Sequence, residues 1–194
     1  MTQPSIKGTA FVSAVTDLQA LIESGKLSRA QLERRLQPQD LAIVDAKILP
    51  GEWYPIESYG RILDAMGEAA GGGEAYHVQR GRTTAERLLR SGIYRQLDRA
   101  VEQRSEKDKA SLIALMLTVG RTLYNFGAWE MLRDQSNDRR IRFELRQMAA
   151  LPENARITIQ GFVEWAGQHI LGGKVRAESR RTHPDRILFD ILLD

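Results

Sequence analysis

The chain holds three histidines and no cysteine, which already limits the chemistry open to it. Thiol catalysis, redox switching, zinc ribbons and iron–sulfur clusters all require cysteine. His77, His169 and His183 are scattered along the sequence, with no two at the i, i+4 spacing that sets a pair of ligands on one helix face. No metal site follows from them. His77, beside Tyr76, could ligate a haem iron only with an apolar pocket and a companion motif; no such motif is present, and it reads as an ordinary surface or helix-start histidine. His169 stands four residues after Trp165 and is expected to be partly buried and hydrogen-bonded, while His183 sits in a turn beside Pro184. There is no Gly-x-Ser-x-Gly, no P-loop and no Gly-x-Gly-x-x-Gly. Gly71-Gly72-Gly73-Glu74 lacks the lysine and the preceding strand that phosphate binding needs, so it reads as a linker. Acidic residues such as Glu86 (with Arg90) and Glu102 (with Glu106) sit at helical spacing and read as solvated helix faces. The expectation is a protein with no catalytic residues, no metal and no cofactor.

Recognition chemistry is better represented. Ile141, Phe143 and Leu145 alternate with Arg140, Arg142 and Arg146, and Lys174, Arg176 and Arg180 follow the same alternation around Val175 and Ala177. With the apolar residues inward, six cations share one sheet face with Glu144 and Glu178. That face is either solvated surface or a docking surface for an acidic partner. No aromatic residues interleave with the cations, which disfavours nucleic acid stacked on it. On the other side, Leu112, Leu115, Met116 and Val119 of an apolar helix would face Phe143 and Leu145. They form either a filled core or the wall of a pocket for a small apolar ligand. Trp53-Tyr54, between Pro50 and Pro55, reads as a staple packing a rigid turn rather than as a ligand wall. The last strand sets Ile187, Phe189 and Ile191 on one face and Leu188 and Leu192 on the other. A strand apolar on both faces is central in its sheet or covered by a partner, so Leu188 and Leu192 are candidate contacts of a homodimer.

The elements that would position these residues follow from periodicity. Residues 1–9 read as a flexible arm and 10–194 as a single domain. Phe11, Val15, Leu18 and Ile22 make one helical stripe, stopped near Gly25. Ser28-Arg29-Ala30-Gln31 is a capping box opening a short helix that ends before Pro38. Asp40 to Leu49 reads as another short helix, and Pro55 to Ala70 as a longer one with Ile56, Tyr59, Leu63 and Met66 inward. Helical patterns continue from Glu74 to about Arg104 and from Ala110 to Phe126, the expected central helix. Trp129 to Arg133 and Ile141 to Leu145 then suggest a hairpin around Gln135-Ser136-Asn137-Asp138. Pro152 to Leu171 is a helix stopped by Gly172-Gly173, with Ile159, Phe162, Val163, Ala166 and Ile170 inward, followed by two strands around His183-Pro184-Asp185. The order predicts an α+β fold, an N-terminal helical bundle packed on a C-terminal antiparallel sheet of about four strands.

Composition agrees. At 194 residues, with 42% apolar and 27% charged residues, the chain can bury a core without staples. The net charge is +3, divided as −2 over residues 1–70 and +5 over the remainder, short of a basic tail. Its longest uncharged apolar run, Leu112 to Val119, is far too short to span a bilayer. With no signal-peptide pattern, a cytoplasmic location is expected, with no membrane contact.

Three stretches carry a resemblance: Ile6-Lys7-Gly8-Thr9-Ala10-Phe11, Leu49-Pro50-Gly51-Glu52-Trp53-Tyr54-Pro55-Ile56-Glu57 and Ser91-Gly92-Ile93-Tyr94-Arg95. Together they resemble a paralogous family of uncharacterised proteins much expanded in myxobacteria, over about residues 6 to 193. That family is similar in fold to haem–nitric-oxide sensors, vinyl-reductase-type ligand-binding domains and vesicle-tethering subunits. The resemblance implies ligand binding between helices and sheet, or assembly through helices, and no enzymatic activity. The Tyr-x-Ser-x-Arg motif that holds the haem propionates in the sensors is absent; Ser91 to Arg95 has the wrong order. The leading expectation is a non-enzymatic regulatory or scaffold module acting through protein–protein contacts. The alternatives are a sensor binding a small apolar ligand between helices and sheet, and a nucleic-acid-binding regulator.

Overall fold

A computed structural model describes residues 2–90, 117–132 and 140–193, the side chains of 89 and 90 excepted. Leu112, Leu115, Met116, the Ser91–Arg95 stretch and the Gln135–Asp138 turn lie outside the described residues. The chain opens with strand β1 (Ser5–Lys7), then helices α1 (Gly8–Glu23), α2 (Arg29–Arg35) and α3 (Pro38–Asp45), strand β2 (Trp53–Pro55), and helices α4 (Ile56–Ala70) and α5 (Gly73–Arg90). A helical segment over 117–123 leads into strands β3 (Ala128–Leu132) and β4 (Arg140–Arg146), helix α6 (Glu153–Leu171), and strands β5 (Val175–His183) and β6 (Arg186–Leu193). Among the described residues no helix is long and apolar enough to cross a membrane.

The helical stripes bury as their spacing predicts. Phe11, Val15 and Leu18 of α1 and Ile56, Tyr59, Leu63 and Met66 of α4 are buried in one core cluster. The capping box forms: the Ser28 hydroxyl accepts from the Gln31 amide, and Gln31 Oε1 accepts from the Ser28 amide at 2.7 Å. Gly71, at φ 65°, ends α4 in the left-handed conformation glycine allows. The triple glycine is thus a helix cap joined to the first residue of α5, rather than a slack joint. α3 begins at Pro38, two residues before the expected start, because proline suits a first helical turn. It ends at Asp45, leaving Ile48 and Leu49 beyond it.

The amino-terminal arm is a correction. Ser5–Lys7 pairs antiparallel with Trp53–Pro55, Ile6 is fully buried, and α1 starts directly at Gly8. Asn125 fixes this ribbon from a distance, its Oδ1 accepting from the Ser5 amide at 2.7 Å. Trp53-Tyr54-Pro55 is therefore a strand, and α4 starts one residue later than expected. Tyr54 stacks near Phe11 at 5.0 Å and its hydroxyl accepts from the Leu49 amide, whereas Trp53 is 42% exposed under Lys7. The expected helix reaching Phe126 ends at 123, since Tyr124 turns out to bridge to Ile6.

β3, β4, β6 and β5 form, in that order, a four-stranded antiparallel sheet. One face carries Trp129, Phe143, Leu145, Ile187, Phe189 and Ile191 inward, all buried. Phe143 pairs with Phe189 in register, and their rings stack at 4.7 Å; Trp129 continues the stack at 5.9 Å from Phe143. Helix α6 lies on this face, with Gly167 against Val175 and Ile191. Its Arg156, Gln160, Glu164 and Gln168, four residues apart, bond the backbone of β5: Glu164 Oε2 and Gln160 Oε1 accept from the Ala177 and Ser179 amides. Arg156 and Gln168 donate to the Ser179 and Val175 carbonyls. The outer edge of β5 is thereby closed to another strand. Helix α5 lies on α6 through two glycines. A Cβ on Gly81 would enter the Thr158 carbonyl, and one on Gly161 would enter that of Val78, so only glycine allows the two backbones this close.

Candidate functional site

An apolar cavity of about 50 Å3 lies between the helices and the inner face of the sheet. Ala10 of α1, Tyr59 of α4, and Thr84 and Leu88 of α5 form its helical side; Leu117, Gly120 and Leu123 of the 117–123 segment and Tyr124 close one end. Trp129 and Phe143 form the sheet side, and Thr158, Ile159, Phe162 and Val163 of α6 complete it. The glycine crossing of α5 on α6 sets how close two of these walls stand to each other. A second, open groove of about 290 Å3 runs between α1 and α5, lined by Val12, Ser13, Thr16 and Arg87 among others. Thr84 and Leu88 belong to both walls, so the groove adjoins the cavity.

Trp129 is held on all sides. Gly120 leaves it room, since a Cβ there would stand 2.8 Å from the ring; Tyr124 lies 6.4 Å away, and Arg121 donates to the Trp129 carbonyl. Burial pushes the Tyr124 phenol well above its ordinary value. Behind Tyr59, the buried Arg80 donates to its hydroxyl at 3.2 Å and pairs with Asp17 at 3.2 Å.

Of the six residues expected at a pocket, Phe143 lines the cavity. Leu145 is buried in the core beside it, and Val119 is half-buried off the cavity wall. The rest fall outside the described residues. Trp129, Phe162, Tyr59 and Thr84 escaped the sequence reading as pocket residues; their signal was only that each sits on an inward stripe.

The basic face has a feature that alternation alone did not weigh. Asp190, 2% exposed at the middle of the outer face, accepts from Arg140, Arg142 and Arg180 at 2.8–2.9 Å. Burial raises the Asp190 carboxyl, but these arginines outweigh it and hold it below the usual carboxylate range. Arg146 pairs with Glu130 and Glu144, and Arg176 with Glu178; Lys174 stands exposed just before β5. The arginines thus form an ion-pair network rather than an uncompensated patch. β6 is an inner strand flanked by β4 and β5, and Leu188 is 9% exposed within this one chain. Leu192 is half-buried between Arg140 and Arg176. The central position and the arginine stems cover both apolar faces within the sheet.

The histidines also find ordinary places. His77 is buried rather than superficial, packed on Gly67 of α4 and edge-on to Tyr76. Burial first and Arg80 second lower its pKa. His169 stacks on Trp165 at 5.0 Å, and the exposed His183 pairs with Asp185 at 2.6 Å. Among the described residues, no group of three or more His, Asp and Glu could hold a metal ion.

No protein-family model matches the chain, and no curated protein matches it. Solved structures do. An unliganded iron(II) H-NOX protein variant from K. algicida matches with a TM-score of 0.64 and 9% identity, covering 97% of each chain. A Cs H-NOX variant matches with a TM-score of 0.63 and 12% identity over 96% of each chain. One from T. tengcongensis gives 0.62 and 12% over 96% of this chain and 97% of that one. The chain has the fold of the H-NOX proteins, as the resemblance to haem–nitric-oxide sensors implied. At these identities the likeness is one of fold.

Haem distortion has been probed in the H-NOX family, so the fit of a haem must be tested on these residues. None of the three histidines lines the cavity, and the chain has no cysteine. Residues 91–116 contain neither. The phenol of Tyr124 is shifted away from the phenolate that would bind iron. The cavity, at about 50 Å3, is several times smaller than the roughly 300 Å3 at which ordinary cofactor sites begin. The described residues do not fit a haem.

Proposed function

We propose that the chain is a sensor domain that holds a small apolar ligand between its helices and its four-stranded sheet, and that it does so without haem. The observation that carries this reading is the cavity itself: a void walled mainly by aliphatic and aromatic side chains, with an open groove beside it. The H-NOX fold supports it, as a fold whose solved members include haem-containing proteins. Because α4, α5, α6 and the sheet all contribute walls, a guest that swells the cavity changes the spacing of the helical layer over the sheet. That displacement is the signal a partner would read.

Size selects the guest. A single water needs roughly 10–15 Å3, and an engineered apolar cavity that takes benzene has about 150 Å3. A void of about 50 Å3 therefore suits a molecule of a few heavy atoms. Thermal unfolding tests this: cyclopropane should raise Tm in proportion to the logarithm of its concentration, and benzene should raise it much less. Haemin, added in excess and then removed by desalting, should leave no absorption band above about 400 nm. A retained band, or a Tm indifferent to every compact apolar compound, would overturn the proposal.

A further inference from the structure

The chemistry of the guest follows from a polar atom that the fold leaves alone. Trp129 is 6% exposed and lines the cavity, and its indole Nε1–H has no hydrogen-bond partner among the described residues. In the unfolded chain that N–H is bonded to water, so burying it without an acceptor is unfavourable, and native proteins seldom do so. Loose packing does not explain it. Phe143 stacks on the ring, Gly120 makes room for it and Arg121 holds its carbonyl. These contacts fix the indole, and none accepts its proton.

Three other polar groups on the cavity wall each have a partner. The Thr158 hydroxyl donates to the Asn154 carbonyl at 2.9 Å, Thr84 shares a hydrogen bond with Ser13, and the Tyr59 oxygen accepts from Arg80. Trp129 differs from these three in that its polar atom has no partner of either kind among the described residues. Among the described residues no charged side chain lines the cavity, so an anionic acceptor would be desolvated without a counter-charge.

We infer that the guest is an uncharged molecule with one hydrogen-bond acceptor, of the nitrile, carbonyl or ether class, and that Trp129 Nε1–H donates to it. This rests on reading the cavity as a ligand site. Acetonitrile and propyne separate the two ideas, being rods of three heavy atoms that differ in whether one end accepts a hydrogen bond. Each is titrated into the 15N-labelled protein while the indole N–H signals are followed, with Trp53→Phe and Trp165→Phe variants identifying the Trp129 signal by elimination. Acetonitrile should bind roughly five-fold more tightly than propyne and move the Trp129 indole proton downfield. In Trp129→Phe the order should reverse, because acetonitrile then leaves water with no hydrogen bond to replace those it loses; should that variant not fold, the comparison in the unaltered protein stands alone. Equal affinities there, or an indole signal that acetonitrile leaves in place, would overturn the inference while the cavity reading survived. If neither compound bound, both would fall.

Discussion

Asp190 and Trp129 are buried on opposite faces of the same four-stranded sheet, and their polar atoms are treated in opposite ways. Asp190, on the outer face, receives three arginines from the two strands beside it. Trp129, on the inner face, lines the apolar cavity, and its N–H finds no acceptor among the described residues. The outer face has met the cost of burying a carboxylate by surrounding it with donors. The inner face has left a smaller cost unmet at one point, and that point lies on the cavity. The contrast separates a part of the sheet that maintains the fold from a part that, on the proposed reading, a guest completes.

The largest expected effect removes the inner face altogether. Gly161→Ala should push α6 from α5 and cost about 3 kcal/mol, read as a fall in the denaturant midpoint. Asp190→Ala comes next. It leaves three cations around an emptied site, but they are partly exposed and solvent can screen them, so about 2 kcal/mol is expected. The same carboxylate gives a pH dependence. Its pKa is lowered in the folded state, so its contribution is complete above the unfolded value of about 4 and is lost as pH falls through the folded one. Asp190→Asn should flatten that acid limb, measured as stability between pH 5 and 2. Trp129→Phe should have the smallest effect, under about 1 kcal/mol, because the lost ring area is offset by removal of an unpaired donor. If Trp129→Phe proved as costly as Asp190→Ala, the contrast between the faces would collapse.

Much of this contrast was within reach of the sequence, though not its decisive parts. Alternation placed Phe143 and Leu145 inward and Arg140, Arg142 and Arg146 outward, because a half-buried strand has a period of two. The stripes of α1 and α4 and the Ser28 capping box were legible because helix contacts are local. β1 and β2 were not legible: each has three residues, and their pairing joins positions about fifty residues apart. The outer cations looked unmatched because the acid at their centre, Asp190, belongs to a strand read for its apolar residues. Nothing in one helix's periodicity shows that Gly81 and Gly161 face each other's neighbours, or that Arg156, Gln160, Glu164 and Gln168 close a strand edge. The cavity needed all of these at once. Its Trp129 was expected only as the start of a hairpin partner, since an unsatisfied indole is visible only when every neighbour is in place.

A crystal of the protein held under xenon pressure tests the central claim most directly. The account predicts a single strong xenon peak bounded by Trp129, Phe143 and Phe162, with the helices and sheet otherwise in place. A cavity that stays empty under pressure, or is filled by the surrounding side chains, would contradict the reading of this fold as a small-ligand sensor.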